Sequence, residues 1–196
     1  MSTPERPAEF NFPISFTGPD GIGASPFDDY AEAERPDVGD GQDPALALRR
    51  TLGMFATGVT VITALKDEQV HGMTANAFMS VSLEPPLVLI SVDRRTKMCG
   101  FLHEGMHYGV SVLCATQAAL SDRFAGRSSE EEPRFALVKD TPLVEGALAH
   151  FVARVERSYW GGDHSLFLGR VEYARQNEGT PLLFHGGRYE RLGHPG

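Results

Sequence analysis

Alternation of apolar and polar positions is the main pattern after residue 57, and it predicts strands. The β-branched runs GVTVITALK and VHGMTANAF flank a predicted turn at Asp67-Glu68-Gln69, as the two arms of a hairpin do. Four more strands are predicted from PLVLISVD, HYGVSVL, ALAHFVARVERSYW and SLFLGRVEYAR. The closing run LLFHGGRYERL predicts another hairpin, with its turn at Gly186-Gly187.

Helical patterns are confined to three short segments. The first is predicted to begin at Asp43-Pro44, because Asp is a favoured N-cap and Pro fits the first helical position, and to end at Gly58. The second spans Thr96–Glu104 with Thr96 as its N-cap, and the third spans Thr116–Phe124. Because strands predominate without regular βαβ alternation, the sequence predicts a mainly β fold, a β-barrel with peripheral helices.

Composition indicates the class of protein and its location in the cell. The 196 residues are 41% hydrophobic and 22% charged, as expected of a globular domain with a packed core. No apolar run approaches the roughly 20 residues that span a bilayer, and the N-terminus lacks a secretory pattern. Cys99 and Cys114 are outside any CxxC pair or zinc-like spacing. We therefore expect a cytoplasmic protein with two buried thiols, no metal site and no membrane association.

The net charge of −8 is concentrated at the start of the chain. Residues 1–43 hold ten acidic and two basic residues, whereas residues 44–196 hold 16 of each. A neutral folded part argues against nucleic-acid binding, which needs a basic surface. Residues 1–43 also contain six of the 13 prolines. These features divide the chain into an acidic N-terminal arm, residues 1–43, and a folded domain, residues 44–196.

One part of the arm has a pattern of its own. Phe10, Phe12, Ile14 and Phe16 alternate with Asn11, Pro13 and Ser15, and alternation with a period of two is typical of an extended segment. We expect residues 10–16 to be ordered and to pack against this subunit or a partner subunit. The alternative is that the arm is a disordered leader.

Three segments carry residue types suited to ligand binding. Residues 72–78 and 80–82 are rich in small and hydroxyl side chains, which let a flat ligand approach the backbone. Residues 93–97 place three cations and a Thr N-cap before a helix, a favourable setting for phosphate. Residues 161–164 place His164 at a turn, where an imidazole can donate to a carboxamide or hold a proton. Each segment also fits a structural role: a half-buried strand pair, a solvated basic loop and a surface turn.

Taken in order, these segments resemble the flavin reductase-like family, the reductase components of two-component flavin monooxygenases. The resemblance covers residues 44–192, and its most specific runs are SxSLEPPL and GDHxLFxG. It rests on TGVTVIT (57–63), TANAFMSVSLEPPLVLISV (74–92), RTK (95–97), RFAG (123–126), GGDHSLFLGRVE (161–172) and PLLFHGGRYERL (181–192). The chain contains no GxGxxG, GxxxxGK(S/T), HExxH or GxSxG run that would point to another enzyme class.

The resemblance implies a fold, a reaction and a set of site residues. It implies an FMN-binding split barrel, a homodimer, and hydride transfer from NADH or NADPH to FMN or FAD. The reduced flavin would pass to a separate monooxygenase component. The residues implied to contact the flavin ring and ribityl chain are Thr74, Ala75, Asn76, Ser80, Val81 and Ser82. Those implied for the phosphate are Arg94, Thr96 and Lys97, and those for the far part of the flavin are Phe124, Ala125 and Gly126. Those implied for the nicotinamide nucleotide are Gly162, Asp163, His164 and Tyr189, with His164 as the catalytic candidate.

Two alternative functions remain open from sequence. One is a flavin-binding protein for sensing, storage or electron relay without nicotinamide turnover, which would have no need of the GDH segment. The other is direct reduction of a quinone or corrinoid by tightly held flavin. The acidic run EEEPRF after Gly126 also leaves the choice between FMN and FAD open.

Overall fold

A computed structural model describes Asp37 and residues 43–192 of the chain. The predicted arm lies almost entirely outside the described residues, as do residues 193–196. The expectation that residues 10–16 are ordered and packed therefore stays a prediction.

Helix α1 (Pro44–Leu52) begins where the sequence predicts but ends earlier. The Asp43 carboxylate accepts a hydrogen bond from the Ala45 N–H at 3.1 Å and caps the helix. Prediction of the helix as far as Gly58 is wrong, because the chain turns at Gly53 and is extended by residue 57. The residues after the helix, Met54 and Phe55, are 64% and 79% exposed. No core contact therefore stabilises a further helical turn.

Helices α2 (Lys97–Phe101) and α3 (Ala118–Phe124) are shorter than predicted. The Thr96 hydroxyl accepts from the Cys99 N–H at 3.3 Å, so the predicted cap of α2 is confirmed. That helix ends at Phe101 rather than Glu104, since Leu102 is extended and its side chain is buried in the core. Helix α3 starts two residues later than predicted, after Gln117.

Strands make up most of the described domain, and the predicted mainly β fold is confirmed. The strands are β1 (Thr57–Gly58), β2 (Thr60–Lys66), β3 (Gln69–Ala75), β4 (Phe78–Leu83), β5 (Pro86–Asp93), β6 (His107–Val112), β7 (Phe135–Val138), β8 (Thr141–Val144), β9 (Ala149–Gly161), β10 (His164–Gln176), β11 (Leu183–His185) and β12 (Arg188–Glu190). The run VHGMTANAF, predicted as one strand, is broken at Asn76 because the chain leaves β3 there and enters β4 at Phe78.

Seven strands form one antiparallel sheet in the order β3-β2-β6-β9-β10-β5-β4. Its two edge strands, β3 and β4, are joined by only two residues, Asn76 and Ala77. In a flat sheet, strands six positions apart would be roughly 29 Å from each other. The link spans at most about 11 Å. The sheet must therefore curl so that its edges approach each other at Asn76-Ala77.

The core lies inside this curl and under a smaller sheet. Ile62, Ile90, Tyr108 and Phe167 are fully or almost fully buried in the main cluster. A second cluster packs below the three-stranded sheet β1-β11-β12 and includes Leu113. The expectation of two buried thiols is confirmed for Cys99 and is wrong for Cys114, which is partly exposed. Among the described residues, no helix is long and apolar enough to cross a membrane.

Candidate active site

The end of β3 lies in a pocket shared with α3 and the closing hairpin. The pocket has a volume of about 160 Å³. Its lining includes Thr74 and Ala75 from β3, Asn76 directly after that strand, Ser121, Ala125 and Arg127 from α3 and the turn after it, and Phe184 and Tyr189 from β11 and β12. The structure thus brings together three of the motif runs that carry the family resemblance, at residues 74–92, 123–126 and 181–192, which are far apart in sequence.

A hydrogen-bonded group fixes the wall of this pocket. The Tyr189 hydroxyl lies 2.8 Å from Ser121 Oγ and 2.9 Å from Asp122 Oδ1. Arg127 Nη1 donates to the same Asp122 oxygen at 2.9 Å, and Thr74 Oγ1 donates to the Ser121 carbonyl at 2.6 Å. Burial raises the pKa of Tyr189, and the nearby Asp122 carboxylate raises it further. Tyr189 is therefore a neutral hydrogen-bond donor at physiological pH.

Phe124 reaches the same region from the end of α3. Its ring lies over the backbone of Gly72, so closely that a Cβ at that position would overlap the ring. It also meets the Phe135 ring edge-on at 6.2 Å between centroids. Gly72 is thus the residue that makes room for Phe124 on β3, a requirement that sequence alone did not show.

Strand β4 supplies the open edge of the large sheet. It pairs with β5 alone, so the backbone groups on its other side have no partner strand among the described residues. A β-bulge separates Ser80 from Ser82 and leaves Val81, 46% exposed, without a register partner. An exposed strand edge with small side chains offers N–H and C=O groups to the rim of a flat ligand.

The basic loop and the Gly-Gly-Asp-His turn lie next to each other. The Arg94 N–H donates to the Asp163 carbonyl at 3.1 Å, and His164 pairs with Asp93 in the β10–β5 register. On β5, Ser91 donates its N–H to the Ala77 carbonyl at 3.1 Å. Asp93 is two residues further along the same strand, about 7 Å away. The pocket at the end of β3, the basic loop and the Gly-Gly-Asp-His turn therefore lie at the same end of the sheet.

The three cations of the basic loop have different surroundings. Arg95 pairs with Asp93 at 2.6 Å, and its hydrogen bonds hold the pKa of that carboxyl well below its usual range. Thr96 is also committed, because its hydroxyl donates to the Asp93 carbonyl and caps α2. Arg94 and Lys97 are exposed and form no ion pair with another described residue. Helix α2 has only five residues, so an anion at this loop would meet these two cations rather than the end of a long helix.

His164 is held by its neighbour. Its Nδ1 lies 2.7 Å from Asp163 Oδ1, with both side chains reaching solvent. A carboxylate at that distance favours the tautomer with the proton on Nδ1 and leaves Nε2 facing away as an acceptor. The turn that carries the pair requires Gly162, whose φ is +70°.

Sequence analysis missed two features of this end of the sheet. The Arg94 guanidinium carbon lies 3.3 Å from the centroid of the Trp160 ring, and Asp122 joins Tyr189 to Arg127. Trp160 directly precedes the Gly-Gly-Asp-His turn, and this position in the sequence is the one signal that could have placed Trp160 near the site. Tyr189, predicted beside the nicotinamide nucleotide, lies in the β3 pocket against Phe184, with 5.8 Å between ring centroids.

A larger pocket, about 420 Å³, lies elsewhere on the domain, around His107, Lys139 and Glu172. Its charges compensate one another, since Glu172 pairs with His107 and Arg154 at 3.1 Å and with Lys139 at 3.7 Å. No predicted site residue lines it. Arg94 and Lys97, which form no ion pair with another described residue, lie instead on the basic loop, at the end of the sheet that holds the smaller pocket.

Comparison with known proteins identifies the family. The flavin reductase like domain matches residues 52–193, and the chain belongs to that family. An NADH-dependent flavin reductase from a Rhodococcus species is 46% identical over 151 residues, which are 75% of this chain and 86% of that protein. The reductase component of 4-hydroxyphenylacetate 3-monooxygenase from Thermus thermophilus is 41% identical over 150 residues, 76% of this chain and 97% of that protein.

Solved structures agree with this assignment. The flavin reductase PheA2 superposes with a TM-score of 0.74 at 42% identity, covering 78% of this chain and 100% of that one. An NADH:FAD oxidoreductase from Streptomyces globisporus, solved with NAD and FAD fragments, gives a TM-score of 0.72 at 40% identity. It covers 80% of this chain and 99% of its own. The family predicted from the sequence motifs is therefore confirmed.

Proposed function

We propose that this protein transfers hydride from NADH to FMN or FAD and supplies the reduced flavin to a monooxygenase component. The observation that carries the proposal is the similarity over three quarters of the chain to a protein named as an NADH-dependent flavin reductase. Relatives are named both as FMN and as FAD reductases, and those names specify NADH. This similarity favours turnover over the alternative of flavin binding without nicotinamide oxidation.

The described residues suit a flavin. The open edge of β4 can donate backbone N–H groups to a flat ring, and Ser80 and Ser82 add small side chains that leave the ring room. The pocket at Thr74–Asn76 continues this surface, and Arg94 and Lys97 provide positive charge for a phosphate. When bound, the flavin supplies the electron-accepting ring and the nicotinamide supplies the hydride.

The protein's own task in this proposal is placement. His164 is positioned by Asp163, and its Nε2 faces away from that carboxylate, where it can contact the nicotinamide nucleotide. Gly162 keeps the turn compact beside the Arg94 loop, so both ligands are bound at one end of the sheet. Holding two reactants in a fixed geometry removes much of the entropic barrier to their reaction.

We also propose a homodimer. On the outer face of the sheet, Met79, Leu89 and Leu168 form one cross-strand row, because Met79 pairs with Leu89 and Leu89 with Leu168. Met79 is 53% exposed, and Leu83 at the end of β4 is 96% exposed. An apolar row of this kind on a sheet face supports burial against a second copy. Sedimentation should give twice the monomer mass, and Leu89→Arg should shift it to monomer.

The proposal also includes the predicted barrel, the predicted arm and the predicted location of the protein. The curled sheet supports an FMN-binding split barrel formed by residues 44–196, preceded by an acidic arm formed by residues 1–43. A cytoplasmic location suits the need for NADH and the two free cysteines.

The experiment that tests the function is NADH oxidation by the purified full-length protein, with and without added FMN or FAD. We expect slow oxidation that accelerates when flavin is added in excess over the protein, and reduced flavin that can be removed by filtration. Tight flavin binding without NADH oxidation would favour the binding protein, and cycling of a retained flavin by a quinone would favour the direct reductase.

A substitution locates the nicotinamide contact. His164→Ala should raise the KM for NADH with little change in flavin affinity. His103→Ala is a suitable control, because His103 is an exposed histidine and, among the described residues, its ring is hydrogen-bonded to the neighbouring Glu104 carbonyl alone. Weaker flavin binding with an unchanged KM for NADH would place His164 at the flavin instead.

A further inference from the structure

Arg94 differs from the other cations at this end of the sheet in how it is held. Its guanidinium carbon lies 3.3 Å from the centroid of the Trp160 ring. At this separation the guanidinium must lie nearly flat on the ring, because an edge-on approach would push its hydrogens into the aromatic face. The N–H groups then point sideways, parallel to the ring plane.

Those N–H groups have no acceptor on the described part of the chain. The backbone N–H of Arg94 is used by the Asp163 carbonyl, but its guanidinium makes no hydrogen bond or ion pair there. The adjacent Arg95 contrasts with it, since three hydrogen bonds tie its guanidinium to Asp93. One arginine of the loop is thus neutralised, while the other keeps its donors free and its orientation fixed.

Trp160 lies beside the buried interior of the sheet. It sits on β9 opposite Ser165 of β10, and Ser165 in turn pairs with Val92 of β5. Ser165 and Val92 are almost completely buried, at 1% and 0% exposure. Trp160 is partly buried, and its Nε1 atom is shielded from solvent without a hydrogen-bond partner in the described chain. The indole therefore contacts Arg94 through the face of its ring, and its own N–H makes no hydrogen bond to another described residue.

We propose that Trp160 is a positioning residue that holds the Arg94 guanidinium flat and directs its free N–H groups at the phosphate of the bound flavin. The inference rests on the proposed flavin site and adds a residue and a specificity to it. A pre-oriented guanidinium loses less side-chain entropy when it binds phosphate than a mobile one does. Trp160 therefore sets the preference of the protein for phosphorylated flavins over riboflavin, which lacks the phosphate.

Binding of FMN and riboflavin to the full-length protein, followed by flavin fluorescence, separates this role from a structural one. Arg94→Ala should raise the Kd for FMN roughly tenfold to a hundredfold, the effect of losing a charge-assisted contact. Trp160→Leu should raise it about threefold to tenfold, the effect of losing the aromatic stack. Neither change should alter the Kd for riboflavin by more than about twofold. Trp160→Phe should restore most of the FMN affinity. Arg50→Ala on α1 is the control, because Arg50 is exposed, forms no ion pair with another described residue and leaves the Arg95–Asp93 pair intact.

The double variant Trp160→Leu/Arg94→Ala should bind FMN no more weakly than Arg94→Ala alone, because the indole acts through the guanidinium. Arg94→Lys provides a second background, since a lysine keeps the charge but has no planar group to stack. If Trp160→Leu weakens FMN and riboflavin equally, or leaves both unchanged, the proposal is wrong. It is also wrong if Trp160→Leu raises the KM for NADH while the FMN-to-riboflavin ratio stays constant.

Failure of the proposed function would look different. A wild-type protein that fails to oxidise NADH with added flavin would not be a flavin reductase. If that protein still preferred FMN over riboflavin through Trp160 and Arg94, the positioning role would stand on its own. Conversely, normal reductase activity with no preference for FMN would overturn the positioning role alone.

Discussion

Gly72→Ala tests how the sheet accommodates Phe124, and its effect can be worked out from the structure. A Cβ at residue 72 would lie 2.5 Å from Phe124 Cδ1, whereas ordinary contact begins at 3.4 Å. The ring must therefore retreat by at least roughly 0.9 Å, in a space that the Phe135 ring, 6.2 Å away between centroids, already limits. Overpacking of this kind costs about 1–3 kcal/mol. For a domain of this size, Tm should fall by roughly 2–12 °C.

The matched control is Gly58→Ala. Gly58 is also in a strand, and a Cβ there has no atom within 4 Å. We expect this variant to differ from wild type by less than about 0.5 kcal/mol in the free energy of unfolding. In the double variant Gly72→Ala/Phe124→Leu, the smaller side chain should relieve the overlap. Its destabilisation should be less than the sum of the two single changes.

Thermal and urea unfolding of the four variants and the wild type measure these differences. Flavin affinity should be measured for the same proteins, because displacement of Phe124 alters the far end of the proposed flavin site. Gly72→Ala should therefore also raise the Kd for FMN, while Gly58→Ala should not. If Gly72→Ala melts like Gly58→Ala, the close approach of Phe124 to β3 is not a feature of the protein in solution.

Three further outcomes are expected. Gly169→Ala should lower the free energy of unfolding by about 1–3 kcal/mol, since its Cβ would lie 2.9 Å from Cζ of the buried Tyr108. Tyr108→Phe should change the free energy of unfolding by less than about 1 kcal/mol. Equal urea midpoints for the Gly169→Ala and Tyr108→Phe variants would contradict this expectation. Burial raises the pKa of Glu172, but hydrogen bonds from His107 and Arg154 outweigh it and leave the folded pKa below the ordinary 4.5. The contribution of Glu172 to stability is therefore complete above about pH 4.5 and is lost as the pH falls through the folded pKa. The difference in free energy of unfolding between wild type and Glu172→Gln should therefore shrink on acidification and not on alkalinisation. Arg95→Ala should raise the pKa of Asp93, as measured by NMR titration, and an unchanged titration would exclude the pair.

Local signals in the sequence predicted the elements that short-range chemistry determines. The Asp43 cap, the Thr96 cap and the Gly186-Gly187 turn each depend on one or two residues, and each is present in the structure. The long strands β9 and β10 were equally evident, because their alternation extends over 13 residues apiece. These elements follow from hydrogen bonding and side-chain alternation within the segment itself.

Other elements depend on contacts that the sequence does not display. The hairpin β7–β8 turns at Lys139 and Asp140, both with positive φ, where glycine or asparagine would be the usual signal. Helix α1 stops at Leu52 because the next residues meet no core, which only the tertiary structure reveals.

The site was predictable in its segments but not in its assembly. Motif resemblance located Thr74–Asn76, the basic loop and the Gly-Gly-Asp-His turn, all of which gather at one end of the sheet. It implied Arg94 rather than Arg95 for the phosphate but gave no physical reason, because the difference lies in Asp93, which neutralises Arg95, and in Trp160, which contacts Arg94. Charge pattern gives the number of cations in a loop, whereas tertiary contacts decide which of them is available.

The bulge in β4 has a consequence for solubility. An open strand edge that exposes Met79, Val81 and Leu83 is a template for adding a strand from another molecule, which is the first step of aggregation. The extra residue at Val81 breaks the regular spacing of donors and acceptors along that edge. A small ligand needs only a few of these groups, but an incoming strand needs an uninterrupted row. Deletion of Val81 would make the edge regular, and the protein should then form intermolecular β-structure at concentrations where wild type stays dispersed.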